Sequence, residues 1–225
     1  MKIVVGVMGS AGDASDLSGI QARYTPRDLA AAEFDDPEWA TAQSIPITRR
    51  WSGENAPPSQ HTEARLIWTS QALCVRFDGR QSEALVVSAQ PQVETKTIGL
   101  WDRDVCEIFV APDAQRPARY FEFEAAPTGE WVDLAINLTP EGRETEPEFH
   151  SGMTTAARLV DEQLTIMMRI PWSDSLPQPQ PGDKWRVNLF RCVGKGDERY
   201  LAWQPTYTPS PNFHVPEFFG WLEFV

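Results

Sequence analysis

Cysteine, histidine and basic residues are all scarce in this 225-residue chain, and each shortage removes a class of function. Cys74, Cys106 and Cys192 form an odd set without CxxC spacing, so neither a zinc site nor a full disulfide framework is implied. Cys106, in the apolar run Asp104–Val110, reads as a small core residue. Twenty Lys and Arg stand against 32 Asp and Glu, a net charge of -12. A field of that sign repels phosphate backbones, so no nucleic-acid partner is expected. No apolar run is long enough to cross a bilayer, so no membrane span is expected. Helical periodicity is missing too. The only helix candidates are Pro26–Ala32 and Pro37–Ala40 near the N-terminus, each with a proline suited to a first turn.

The N-terminus yields no firm motif. Lys2 and the apolar run Ile3–Met8 fall at the lower limit for a signal-peptide core, and Gly6, Gly9 and Gly12 lack the GK[ST] ending of a phosphate loop. Residues 1–20 therefore read as a flexible leader before a single domain at 21–225. Localisation stays open, with secreted and periplasmic placements both allowed.

What the chain has in abundance is tryptophan, nine residues, and proline, nineteen. Proline at that level favours short strands joined by tight loops. Tryptophan is common where a flat face meets a ligand. Period-two alternation runs from residue 62 onward, and about ten strands follow from it. They are Thr62–Trp68, Ala72–Asp78, Leu85–Ala89, Asp104–Val110, Tyr120–Ala125, Trp131–Leu138, Ala156–Leu159, Leu164–Ile170, Trp185–Cys192, Arg199–Trp203 and Gly220–Phe224. The fold class that follows is all-β, an antiparallel sandwich of jelly-roll type with one or two short N-terminal helices.

The alternation also sorts the faces. Cys106, Ile108 and Val110 point inward, as do Phe121 and Phe123, leaving Glu107, Glu122 and Glu124 on the opposite side. In Trp131–Leu138 the apolar set is Val132, Leu134, Ile136 and Leu138, which assigns Trp131, Asp133 and Asn137 to the side of the glutamates. Carboxylates beside an aromatic suit sugars, whose hydroxyls seek planar acceptors and whose C–H faces seek flat apolar surfaces. A solvated sheet face is the simpler account of the same pattern.

Several segments resemble carbohydrate-binding module family 9. Gly99–Val110 is similar to the family's Trp-x-x-Asp-x-x-Glu-hydrophobic-Phe segment. Asn212–Phe224 is similar to its closing Pro-x-x-Phe-Gly-x-Leu strand, and Ile170–Trp172 and Trp185–Arg191 resemble its intervening segments. The resemblance covers about residues 35–225. It implies a lectin-like, DOMON-related β-sandwich that grips the terminal sugar of an oligosaccharide or polysaccharide between two aromatic rings, without catalysis. Trp101 falls on one ring, and Phe213 falls where the best-known members carry a second tryptophan. Glu107 falls on an acid that bonds sugar hydroxyls, and Asn212 lies near a polar contact. A basic sugar-binding residue of the family is replaced by an acid around Glu122 or Glu124. His214, beside Phe213, is placed to donate to a ligand. Trp68, Trp172, Trp185 and Trp203 read as packing residues.

Two other functions stay in play. A haem-binding DOMON-type redox module would use His150 with Met153, Met167 or Met168, although methionines serve equally as core filler. A glycoside hydrolase would pair Glu107 with Glu122, Glu124 or Asp133, and would need one carboxyl with a raised pKa inside a water-excluding cleft. No GxSxG elbow is present for serine chemistry. The family also implies structural Ca2+. Asp35, Asp36, Asp102, Asp104 and Asp113 are loop oxygens of the right kind, but no EF-hand spacing assigns them.

Overall fold

The computed structural model describes residues 17–225. They form fourteen strands in two packed layers, with only short 3-10 turns between them. The strands are β1 (Gly19–Tyr24), β2 (Ile45–Ile47), β3 (Arg49–Arg50), β4 (Thr62–Trp68), β5 (Ala72–Arg80), β6 (Val105–Ala111) and β7 (Arg119–Ala125). They continue with β8 (Trp131–Thr139), β9 (Gly142–Glu146), β10 (Thr154–Val160), β11 (Gln163–Pro171), β12 (Lys184–Cys192), β13 (Tyr200–Ala202) and β14 (Gly220–Phe224).

One layer runs β10-β11-β5-β4, with β2 on the free edge of β4. The other runs β14-β12-β6-β7-β8-β9, with β13 on the remaining edge of β12 and β3 beyond it. These pairings are antiparallel, as expected. Strand β1 is the exception: Gly19–Ala22 pair in parallel with β14, and Arg23 and Tyr24 pair in parallel with β4, so one strand joins both layers.

Alternation fixes what lies between the layers. Leu66, Val75, Phe77 and Met168 meet Ile108, Phe123, Leu189 and Leu222 in the main core. A second apolar cluster covers the outer face of the β6–β8 layer and contains Phe109, Tyr120, Leu134, Phe190 and Phe219. A third, with Trp39, Ile67, Cys74 and Met167, lies on the outer face of the other layer. Outer faces that are themselves apolar explain why strands such as β6 and β12 are buried at nearly every position.

The second cluster corrects the expected orientation of β8. Glu122 pairs with Leu134 and Glu124 with Val132, whereas Phe123 pairs with Asp133 and Arg119 with Asn137. Directly paired residues share a face. Val132, Leu134 and Ile136 thus stand with the glutamates on the outer cluster, while Asp133 lies on the inner side with Phe123. There Asp133 is ion-paired with Lys96 at 2.7 Å and accepts from the Ser151 hydroxyl at 2.7 Å. The apolar side of a strand need not face the main core when the opposite face carries a core of its own.

Other expectations shift as well. Leu85–Ala89 is not a strand, and residues 26–32 form bends and turns rather than a helix. Pro37–Thr41 is a 3-10 turn capped by Asp36, whose Oδ1 accepts the Glu38 N–H. The expected leader lies outside the described residues up to position 16, and its last residues, Gly19 and Ile20, belong to β1. All three cysteines are free and buried, with Cys106 in the main core. Trp68 and Trp185 are buried, and Trp172 and Trp203 pack against the main core. Among the described residues, no helix is long and apolar enough to cross a membrane.

Candidate functional site

A cleft of about 300 Å³ opens on the outer face of the β6–β9 sheet, and five of the six residues expected to bind sugar line it: Trp101, Glu107, Asn212, Phe213 and His214. Local backbone geometry places the first. Gly99 adopts φ 84°, a left-handed conformation suited to glycine, and starts the turn Leu100–Asp102. Leu100 is fully buried and anchors the turn, so the adjacent Trp101 is left 36% exposed at the rim. Glu107 rises from the middle of β6 into the cleft.

Another part of the lining is the segment before β14. Phe213 stacks on Phe190 with ring centroids 3.9 Å apart and planes at 14°, and Tyr200 meets it edge-on at 5.7 Å. Backed in this way, Phe213 is only 8% exposed, so it is largely a wall rather than a free plate. Asn212 is exposed, and its Oδ1 accepts the His214 N–H at 3.0 Å, which fixes the turn. His214 Nδ1 lies 2.7 Å from the Tyr120 hydroxyl. Burial, aided by the Arg143 charge, lowers the His214 pKa to about 3, so the ring is neutral.

Glu124 departs from expectation. It does not line the cleft but lies beneath it, fully buried, opposite Glu107 across the β6–β7 ladder. Glu122, two residues along on β7, completes a trio whose oxygens lie within 4.8 Å of one another. Burial, reinforced by Glu122, pushes the Glu107 carboxyl up to about 8. Burial raises Glu122 as well, and burial with both neighbouring acids raises Glu124 further.

That arrangement fits poorly with hydrolysis of the retaining kind. Such chemistry needs one protonated acid and one ionised partner about 5–5.5 Å away, whereas here burial raises all three and they sit closer together. Asp133 is on the other face. The haem ligands do not converge either: Met153 and Met168 pack in the main core and Met167 in the third cluster on the opposite face of β11, while His150 is exposed. The loop aspartates are engaged separately. Asp35 holds Arg158, Asp36 holds Arg27, Asp113 holds Arg116, and Asp104 accepts the N–H groups of Val86 and Gly194. Among the described residues, the trio is the one group of three or more potential metal-ligating acids, histidines or cysteines within 4.8 Å.

The cleft also holds residues that pattern reading missed. Arg143 and Thr145 reach it from β9, and Tyr200 from β13. β9 reads Gly-Arg-Glu-Thr-Glu, exposed at every position, and an all-polar strand carries no hydrophobic period to detect.

Comparison with known proteins gives a consistent picture. The family model described as carbohydrate family 9 binding domain-like matches residues 32–225. No curated protein sequence matches the chain. A structure from Bacteroides uniformis, provisionally described as carbohydrate-binding, superposes with a TM-score of 0.70 at 20% identity, covering 93% of this chain and 100% of that one. A family 9 carbohydrate-binding module from Caldicellulosiruptor kristjanssonii, solved with cellotriose and separately with glucose, gives a TM-score of 0.61 at 16% identity in both. The match covers 92% of this chain, and 93% and 96% of those structures. Identities this low establish likeness of fold.

Proposed function

The chain belongs to the carbohydrate family 9 binding domain-like family, and on that premise we propose that it binds the end of an oligosaccharide or polysaccharide in this cleft, without chemical change. The observation that carries the reading is the convergence of Trp101, Glu107, Asn212, Phe213 and His214 on one cavity of about 300 Å³. That volume is at the small end of ligand pockets and suits a single sugar ring.

Each side chain has a role in this reading. Trp101 supplies the accessible flat surface for the C–H face of the ring, and Phe213, held by Phe190, supplies a fixed apolar wall across from it. A stacked wall costs little to order, because its position is set before the ligand arrives. Glu107 meets sugar hydroxyls, and Asn212 and His214 add polar contacts at the rim. Arg143 restores the basic donor that the acids on β7 displace, reaching the same space from a different strand.

The test is calorimetric titration with glucose, cellotriose and xylo-oligosaccharides. Wild-type protein is expected to bind at least one of them. Trp101→Ala is expected to weaken that binding about tenfold or more, and Arg143→Ala to weaken it less. Absence of binding to a broad glycan array would overturn the proposal.

A further inference from the structure

Glu107 and Glu124 are direct cross-strand partners, and Glu122 stands on the same face one pleat along β7. Their exposures are 2%, 0% and 3% in that order. Like charges placed opposite each other on a sheet repel, and burial removes the water that would screen them. The other four buried acids of the described residues each have a counterweight. Asp36 pairs with Arg27 at 2.6 Å, Glu130 with Arg103 at 2.8 Å and Asp133 with Lys96 at 2.7 Å. Asp104 accepts two backbone N–H groups. The trio is in no ion pair among the described residues, and its one donor from outside is the Cys192 thiol, 3.3 Å from Glu107 Oε1. Neither carboxylate oxygen of Glu124 receives a donor from outside the trio, its one partner being the Glu122 carboxyl, although the residue is fully buried and aimed at the other two.

We propose that Glu107, Glu122 and Glu124 form a site for a hard divalent cation, calcium by its reach, in the floor of the cleft. An all-carboxylate donor set selects hard cations. Calcium–oxygen distances of about 2.3–2.6 Å place opposed ligands up to about 5 Å apart, and these oxygens all lie within 4.8 Å of one another, inside that span. Glu107 and Glu122 both line the cleft, which gives the ion a path from solvent. Calcium takes about six to eight oxygens, so positions left by the three carboxylates face the cleft, where adjacent sugar hydroxyls can fill them. This last contact rests on the carbohydrate reading; the cation site does not.

The experiment uses the full chain, stripped with EDTA and titrated with CaCl2 by calorimetry, beside Glu124→Gln and Glu122→Gln. Glu124→Gln keeps the volume and removes a repelling charge, so it is expected to fold and, in EDTA, to melt above the wild type. A single wild-type calcium site, a calcium-induced rise in melting temperature, and at least tenfold weaker binding in both variants would support the proposal. No calcium binding, or binding unchanged in Glu124→Gln, would overturn it and leave a proton shared between Glu122 and Glu124 as the relief of the repulsion. Sugar is then titrated with calcium and with EDTA. Sugar binding only with calcium supports the shared contact, and equal binding in EDTA overturns that contact. Calcium binding without sugar binding leaves the cation site standing and overturns the carbohydrate reading instead.

Discussion

Trp101 and Trp203 carry the same side chain with opposite duties. Trp101 stands 36% exposed on a turn whose anchor is its neighbour Leu100, so replacing it removes little packing. Trp101→Ala is expected to leave the midpoint of chemical denaturation nearly unchanged. Trp203 lies over Gly220 so closely that a β-carbon there would come within 2.3 Å of the indole, and it packs against the main core. Trp203→Ala is expected to cost about 3 kcal/mol in urea denaturation. The cleft also holds two groups whose pH effects run in opposite directions. The Glu107 carboxyl is raised from 4.5 to about 8 in the folded protein, so its contribution to stability is full below pH 4.5 and declines as pH rises toward 8. The His214 ring is lowered from 6.5 to about 3, so its contribution is full above pH 6.5 and declines as pH falls toward 3. Melting curves of the metal-free protein should therefore lose part of their alkaline-side decline in Glu107→Gln, the rest staying with Glu122 and Glu124, and part of their acid-side decline in His214→Gln. At this scale the sequence was informative about identity and less so about environment. Trp101, Glu107, Asn212, Phe213 and His214 were nameable from their segments. The burial of the glutamates was not, because alternation reports that a residue is polar and not what covers it.

The short turn that presents Trp101 depends on Gly99. Its φ of 84° disfavours any side chain, while a β-carbon there would meet nothing closer than Asp102 Oδ2 at 3.9 Å. Gly99→Ala is therefore a test of backbone strain free of steric clash. It is expected to cost about 1 kcal/mol and to weaken sugar binding by displacing the indole, as read by denaturation and by titration. Among the strands, β4 and β14 match their expected limits residue for residue: β14 alternates throughout, and β4 alternates until its buried end Leu66–Trp68, which a turn closes. β2 and β3 are too short to show a period, and β9 has no apolar residue at all. β8 was found but turned over: its apolar residues belong to the outer cluster with Phe109 and Tyr120, an alternative that the strand's own sequence cannot distinguish. Pairing register settles it, and register depends on the neighbouring strand.

The two layers are held in one structure by packing and by β1, which pairs with β14 over its first four residues and with β4 over its last two. A truncated chain beginning at Thr25 would uncover an edge of both β4 and β14 at once. Unpaired edges recruit other chains, so this truncation is expected to broaden the unfolding transition and to produce soluble aggregates by size-exclusion chromatography. Ala22, fully buried within β1, gives a milder version: Ala22→Asp is expected to lower the melting temperature without removing the strand. The parallel sense of β1 and β14 carries a mechanical consequence. Gly19 lies beside Trp221 and Ala22 beside Phe224, so tension applied through the N-terminal side of β1 and the C-terminal side of β14 slides the two strands past each other. Their evenly spaced hydrogen bonds then bear the load together rather than opening one at a time, so the pairing acts as a clamp against being pulled apart.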